Sequence, residues 1–539
     1  MPSRWYRSSK LAVWALFAFA GCSVLARCLY QVIAHGWVWS GAFGYTADGM
    51  QYLGFVREAS RHLLIGNPFA TEVGTRVFLH PMLGLSGGLA WLGLPIPYAF
   101  ALWMPVGVIS VVWGATRAVE SAIPASESGP RIVALILGLG YAFRPDQLGH
   151  IPLGLKERLS FSVAEGDAWP MRLLFGWPLG AVSTGLLAVV LAGYWTKRTG
   201  PTRSGTPWLL CIGAFLCSWI QPWPGLTLIA AVVAAELVSR IPGVLSNGVP
   251  RPTGWRTPAL LLASATCPLI YYALLDRLES GWALSGVQLV ALTHGTPWWA
   301  LWLPLAPLLL LAPLAWRTTT RDFRLVMLTT WSLAGLLGGT LILESELGNV
   351  PQHMLRGLSI PLATLSVIGV AHATRSWPGA SRVAISGITL LALVVIPGTM
   401  RLGTELSDTM NPVNQRFIAP GEAEAFKAIS NSQRAGGVLA PGPLGAMVPW
   451  RTGRVPWVGH RNLTPDYNLR SSQQSAYVNG FGLGASTAET QKFFKSHGFA
   501  FVLIPCSLPV GTRLNLIKRL GGQVARTQRF ECAYLLTLR

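Results

Sequence analysis

In the stretch YTADGMQYLGFVREASRH, residues 45–62, a single aspartate, Asp48, stands just beyond the first long apolar run of the chain. Tyr52, Phe55, Val56, Ala59 and Leu63 recur after it at helical spacing, while Gln51, Arg57, Glu58 and Arg61 fall elsewhere. That pattern predicts an amphipathic helix in the membrane interface, with Asp48 at headgroup depth. A carboxylate placed there can take a proton from a hydroxyl while a lipid-linked leaving group departs. Preceded by Thr46 and Ala47, the same aspartate also fits the N-cap of that helix, and the local pattern leaves both roles open.

Two further stretches carry groups able to handle phosphate. IPLGLKERLSFSVAEGDAWPMR, residues 151–172, holds Lys156, Arg158 and Arg172, cations of the kind that offset charge developing on a leaving phosphate. Glu165 and Asp167, spaced acid-x-acid, suit sugar hydroxyls or a metal ion. A solvated loop in contact with headgroups accounts for the same residues. In ESELGNVPQHMLRGLSIPLA, residues 344–363, Arg356 falls just inside an apolar run, with His353 one turn earlier. This pair reads either as a phosphate site or as an arginine snorkelling to headgroups. Arg454 and His460, in LAPGPLGAMVPWRTGRVPWVGH (439–460), are weaker candidates, because Gly-Arg also ends a turn.

The elements that must position these groups are membrane helices. With 51% hydrophobic residues, 12% charged residues and mean hydropathy +0.44 over 539 residues, the chain cannot be a water-soluble globule. Its net charge of +20 falls in short clusters between apolar runs, which fits membrane topology and not nucleic acid. The N-terminal run is long enough for a retained anchor. Further runs lie near 97–118, 131–146, 173–195, 207–220, 222–239, 257–276, 298–316, 324–343, 354–373 and 382–399. A cytoplasmic N-terminus makes every second loop basic: Lys197, Arg198 and Arg203; Arg240, Arg251 and Arg256; Arg317, Arg321 and Arg324; Arg375 and Arg382. The alternate loops, which hold nearly all the loop acids, then face outward.

From about residue 400 the apolar runs shorten. GEAEAFKAISNS and STAETQKFFKSHG read as helices, and GGVLAP, FAFVLIPC and CAYLLTL as strands. Residues 400–539 hold 16 Lys/Arg against 7 Asp/Glu, a balance of +9 that suits anionic lipid or an anionic substrate. The expected fold is an all-α polytopic membrane domain of about eleven transmembrane helices, residues 1–399, with external loops 32–96, 147–172, 277–297 and 344–353. An extracytoplasmic α/β domain, residues 400–539, follows. Cys506 and Cys532 lie in that domain, and either a disulfide or two free thiols is compatible with their setting.

An aspartate followed by Gln51 and Tyr52 in the first external loop, many helices and a C-terminal α/β domain together resemble the GT-C superfamily of polyprenyl-phosphate-sugar-dependent glycosyltransferases. Segment 439–460 resembles bacterial members. The resemblance implies a multi-pass protein of the plasma (inner) membrane in which Asp48 is the general base of an inverting transfer. The donor would be a polyprenyl-phosphate sugar, and the acceptor a lipid, glycan or protein at the outer face. Substrate-binding roles then fall to Gln51, Tyr52, Lys156, Arg158, Glu165, Asp167, Arg172, His353 and Arg356. No D-x-D follows the first helix, so neither a metal nor another cofactor is expected. Two other readings stay open: a flippase of lipid-linked glycans, and a non-catalytic scaffold binding anionic envelope polymer. Transport predicts ionisable residues deep within helices and an internal repeat. Mid-helix charges are scarce here, and no repeat is clear.

Overall fold

The computed structural model describes residues 4–42, 46–70, 75–143, 169–199, 207–246, 254–283, 297–318, 321–345, 351–411, 416–479 and 486–539. Among the candidates, Lys156, Arg158, Glu165 and Asp167 lie outside the described residues. Among the described residues, most of each apolar run is helical. Among the described residues, seven helical spans are long and apolar enough to cross a membrane: Arg4–His35, Ile96–Ala122, Pro178–Thr199, Arg256–Leu278, Trp299–Arg317, Phe323–Ile342 and Gly379–Asp408. Four are shorter: Ser128–Gly140, Trp208–Ile220, Pro222–Val238 and Ser359–Ala373. The short ones end for local reasons. Gln221 is extended and precedes Pro222, so the chain breaks between two helices there, and an extended Tyr141 stops Ser128–Gly140. Pro304, Pro307 and Pro313 break Trp299–Arg317 into alternating α and 3-10 turns.

The chain forms two compact units. The first comprises Met1–Ser23, Trp103–Leu274 and Val290–Glu405. The second comprises Val24–Leu102, Leu275–Leu289 and Leu406–Arg539.

In the first unit, small residues let helices approach closely. Gly114 of Trp103–Ala122 lies against Gly185 of Pro178–Thr199, where an added Cβ would meet the Gly185 carbonyl oxygen at 2.5 Å. The basic residues of alternate loops meet at one end of this bundle. Glu120 accepts from Tyr6 Oη and Lys10 Nζ, while Arg131 donates to the Glu120 and Ile123 carbonyls. Glu236, fully buried, accepts from Tyr194, Arg198 and Arg240. The Arg321 N–H donates to Ser246 Oγ at 2.7 Å, and Arg375 pairs with Glu127 at 3.7 Å. An unpaired buried Glu236 would be costly, so Arg198 and Tyr194 tie the end of Pro178–Thr199 to that of Pro222–Val238, with Arg240 one turn on as a second cation.

The second unit contains the sheet. Strands β1 (Val38–Trp39) and β2 (Phe417–Ile418) pair antiparallel. A four-stranded sheet is ordered β3-β4-β6-β5, from Gly437–Leu439, Phe499–Ile504, Ala533–Leu538 and Val524–Phe530. β3 runs parallel to β4, and the other pairs are antiparallel. Every residue of β4 is buried, as its unbroken apolar run requires of a central strand. Edge strand β5 is mostly exposed and carries Arg526 and Arg529, charges that blunt an open sheet edge. Helix Thr487–Ser496 starts at Ser486, whose Oγ accepts the Glu489 N–H while the Glu489 carboxylate accepts the Ser486 N–H.

Cys506 and Cys532 form a disulfide. Beside it, the Cys506 N–H donates to the Glu422 carboxylate, which also accepts from Ala419 at the start of Pro420–Asn431. Burial pushes the Glu422 carboxyl up, against the two amides that favour its charged form. The thiols count the disulfide directly. Denatured, unreduced protein is expected to take up five maleimides, on Cys22, Cys28, Cys211, Cys217 and Cys267, and seven after reduction. Seven in both samples would contradict the pairing.

Candidate functional site

Asp48 lies in the first turn of the Thr46–Ala59 helix and not at the cap position that the sequence left open. Met50, Leu53, Phe55 and Val56 of that helix are buried in the second unit. The helix ends at Ala59, so Leu63, expected on its apolar face, lies beyond it and is exposed. Gln51 and Tyr52 follow Asp48 at i+3 and i+4 and share its helix face. The Tyr52 ring packs 5.6 Å from that of Phe100.

Helix Thr46–Ala59 packs against Pro443–Thr452. Gly54 faces Pro68 and Pro449, which a Cβ there would meet at ordinary contact distances of 3.4 and 3.5 Å. Arg57 donates to the Trp450 carbonyl at 2.8 Å, and Arg451 donates to the Trp39 carbonyl at 2.8 Å. Burial pushes both guanidinium groups down to about 10, which leaves them charged at neutral pH and both hydrogen bonds charge-assisted. Asn67 adds a third tie, donating to the carbonyls of Gly281 and Leu463.

These contacts bring His460 to Asp48. His460 Nε2 lies 3.2 Å from Asp48 Oδ1, with the imidazole nearly buried and the carboxylate about one-third exposed. The turn after His460 is held by its own backbone, because the His460 carbonyl accepts from Leu463 and Thr464 and the Gly459 N–H donates to Thr464 Oγ1. Sequence ranked His460 low, and its only signal was its place in segment 439–460. Arg454 is structural: it follows left-handed Gly453, the turn its sequence suggested, and donates to the carbonyls of Ile429, Ser432, Arg434 and Gly436.

The first unit holds the second cluster. Arg356 is buried, in the turn before Ser359–Ala373 and not inside that helix as the apolar run implied. Its guanidinium donates to Gln221 Oε1 and lies 2.9 Å from His353 Nδ1. A guanidinium has no acceptor, so Nδ1 must be the acceptor and His353 cannot be a cation in this arrangement. Arg356 also lies close to Gly180, a position shared with Leu173 of the short Pro170–Gly176 helix. That helix carries Arg172, which stacks over the Trp177 ring at 5.3 Å. Nearby in the chain, Trp169 Nε1 and Thr184 Oγ1 are buried without a hydrogen-bond partner among the described residues, and Thr184 packs on Gly357. Buried polar atoms left unpaired in this way are ones that a ligand oxygen would satisfy. Among the described residues, no three His, Cys, Asp or Glu side chains converge as a metal site.

No protein-family model and no curated protein matches the chain in sequence. Solved structures do match in shape. The oligosaccharyltransferase of Archaeoglobus fulgidus, in complex with Zn and sulfate, superposes with TM-score 0.56 at 11% identity, over 95% of this chain and 70% of that one. The arabinofuranosyltransferase AftD from Mycobacteria gives TM-score 0.51 at 16% identity, over 100% of this chain and 42% of that one. Both are GT-C membrane glycosyltransferases, and the likeness shows that fold for this chain.

Close packing under His460 makes a specific prediction. A Cβ on Gly459 would lie 2.4 Å from Phe69 Cδ1, so Gly459→Ala is expected to cost about 1–3 kcal/mol. The reconstituted protein should melt lower, and Phe69→Leu in the same chain should recover part of the loss. An unchanged melting midpoint in Gly459→Ala would contradict the packing.

Proposed function

We propose that this GT-C-fold membrane protein is an inverting glycosyltransferase acting on a polyprenyl-phosphate-linked sugar at the outer face of the plasma membrane. The observation that carries the proposal is the partly exposed Asp48 carboxylate, held by His460 at the head of its helix in a chain of this fold. In the reaction, the acceptor hydroxyl gives its proton to Asp48 as its oxygen bonds to the anomeric carbon. The bond from that carbon to the phosphate oxygen breaks, and polyprenyl phosphate leaves with the electron pair. Displacement from the face opposite the phosphate inverts the anomeric centre.

Arg356 and Arg172 are assigned to the donor phosphate, with His353 and Gln221 holding the Arg356 guanidinium in place. Charge building on the departing phosphate is stabilised by such fixed cations. Gln51 and Tyr52, on the Asp48 face, are assigned to sugar or acceptor hydroxyls, as are Glu165 and Asp167; Lys156 and Arg158 are assigned to headgroup or phosphate contacts. The disulfide supports an extracytoplasmic placement of residues 400–539, because such bonds persist in oxidising compartments. The gathering of the basic loop ends at one end of the first unit supports a cytoplasmic N-terminus. Acceptors of lipid, glycan or protein type all present a hydroxyl or amide nucleophile that this chemistry can use.

The test uses the full chain in nanodiscs with a panel of synthetic polyprenyl-phosphate pentoses and hexoses, reading release of polyprenyl phosphate. Asp48→Asn is expected to lower turnover by at least about a hundredfold, the low end for loss of a general base, with melting unchanged. Near-normal turnover in that variant would remove Asp48 from the mechanism.

A further inference from the structure

We infer that His460 is the positioning residue of the Asp48 carboxylate, so that the segment after Pro443–Thr452 completes the site; the inference rests on Asp48 being the base. His460 Nδ1 accepts the Asn462 backbone N–H at 3.3 Å. An amide N–H can only donate, so Nδ1 carries a lone pair, and the neutral ring holds its proton on Nε2. Nε2 faces Asp48 Oδ1 at 3.2 Å and therefore donates to it.

This tautomer decides which member of the pair accepts the substrate proton. At Nε2 the neutral ring has no lone pair, and at Nδ1 protonation would break the bond from Asn462. The imidazole is thus poorly placed to be a base, and the carboxylate is the acceptor. The polarity is the reverse of a pair in which a carboxylate orients a basic imidazole. A hydrogen bond given to one carboxylate oxygen fixes the plane of the group and favours its charged form. Lone pairs on both oxygens leave capacity for an acceptor hydroxyl.

The ring has little room to turn. It is nearly buried, the Phe69 ring lies 6.0 Å away, and a backbone turn clamps the residue through its own carbonyl. Asn67, two residues before Phe69, fastens the first loop to the Leu463 carbonyl three residues beyond His460. Imidazole and carboxylate are therefore held by one connected set of bonds within the second unit.

Two variants separate positioning from structure. His460→Phe fills the space without a donor, and His460→Gln restores an N–H. In the nanodisc assay, His460→Phe is expected to lower kcat about tenfold to a hundredfold, the range for loss of an orienting partner, with KM within about twofold. Gln should recover most of the loss, and melting should stay close to that of the unmodified protein. Unchanged kcat in His460→Phe, or loss of kcat and melting together with no rescue by Gln, would overturn the inference. Asp48→Asn, run alongside, reports on the base itself, so its failure is distinguishable. Independently of turnover, 15N-histidine labelling reads the tautomer, with the His460 signal assigned by its absence in His460→Gln. A proton on Nε2 is expected, and a proton on Nδ1 would overturn the inference.

Discussion

The packing of Thr46–Ala59 against Pro443–Thr452 is the contact on which the proposed chemistry depends. It joins residues 412 positions apart in the chain, bringing Asp48 to His460. Without that contact, Asp48 would lose the imidazole that lies 3.2 Å from its carboxylate. Neither helix is held by apolar burial alone. Arg57 and Arg451 each reach a carbonyl on a neighbouring segment, Trp450 in one case and Trp39 in the other. A buried guanidinium is tolerable only with such partners, so the Arg57 bond ties Thr46–Ala59 to Pro443–Thr452 and the Arg451 bond ties Pro443–Thr452 to β1.

In the first unit the same rule separates the two ends of the bundle. At one end Glu236 is neutralised by Arg198 and Arg240, and the surrounding contacts lock helix ends together. At the other end, Arg356 is held by Gln221 and by His353, neutral acceptors that position its guanidinium. The first arrangement is what structure alone asks of a buried ion. The second, with Trp169 Nε1 and Thr184 Oγ1 lacking a partner among the described residues, is what the proposed phosphate site rests on.

Much of the fold was legible because each signal was local. Apolar runs marked helical segments, seven of them among the described residues long and apolar enough to cross a membrane. The all-apolar run Phe499–Ile504 marked the central strand, and Ser486 with Glu489 marked a helix start. Edge strand β5 was missed because exposure on both faces leaves VARTQRF without alternation. Asp48, Gln51 and Tyr52 were readable as a group from their place after the first helix. His460 was not, since its significance lies in a contact made only by tertiary packing, and nothing within segment 439–460 points to residue 48. Arg454 shows the converse. It looks equally suited to chemistry in sequence, yet it is spent on four backbone carbonyls.

The claim that unites these observations is that the chain handles a sugar carried on polyprenyl phosphate. Native mass spectrometry of the purified protein, beside Arg356→Ala, tests it most directly. The account predicts a bound polyprenyl phosphate or its sugar conjugate, either co-purified or taken up from added synthetic polyprenyl phosphate, and its loss in the variant. No carrier in either sample after that addition, or equal retention in both, would contradict the account.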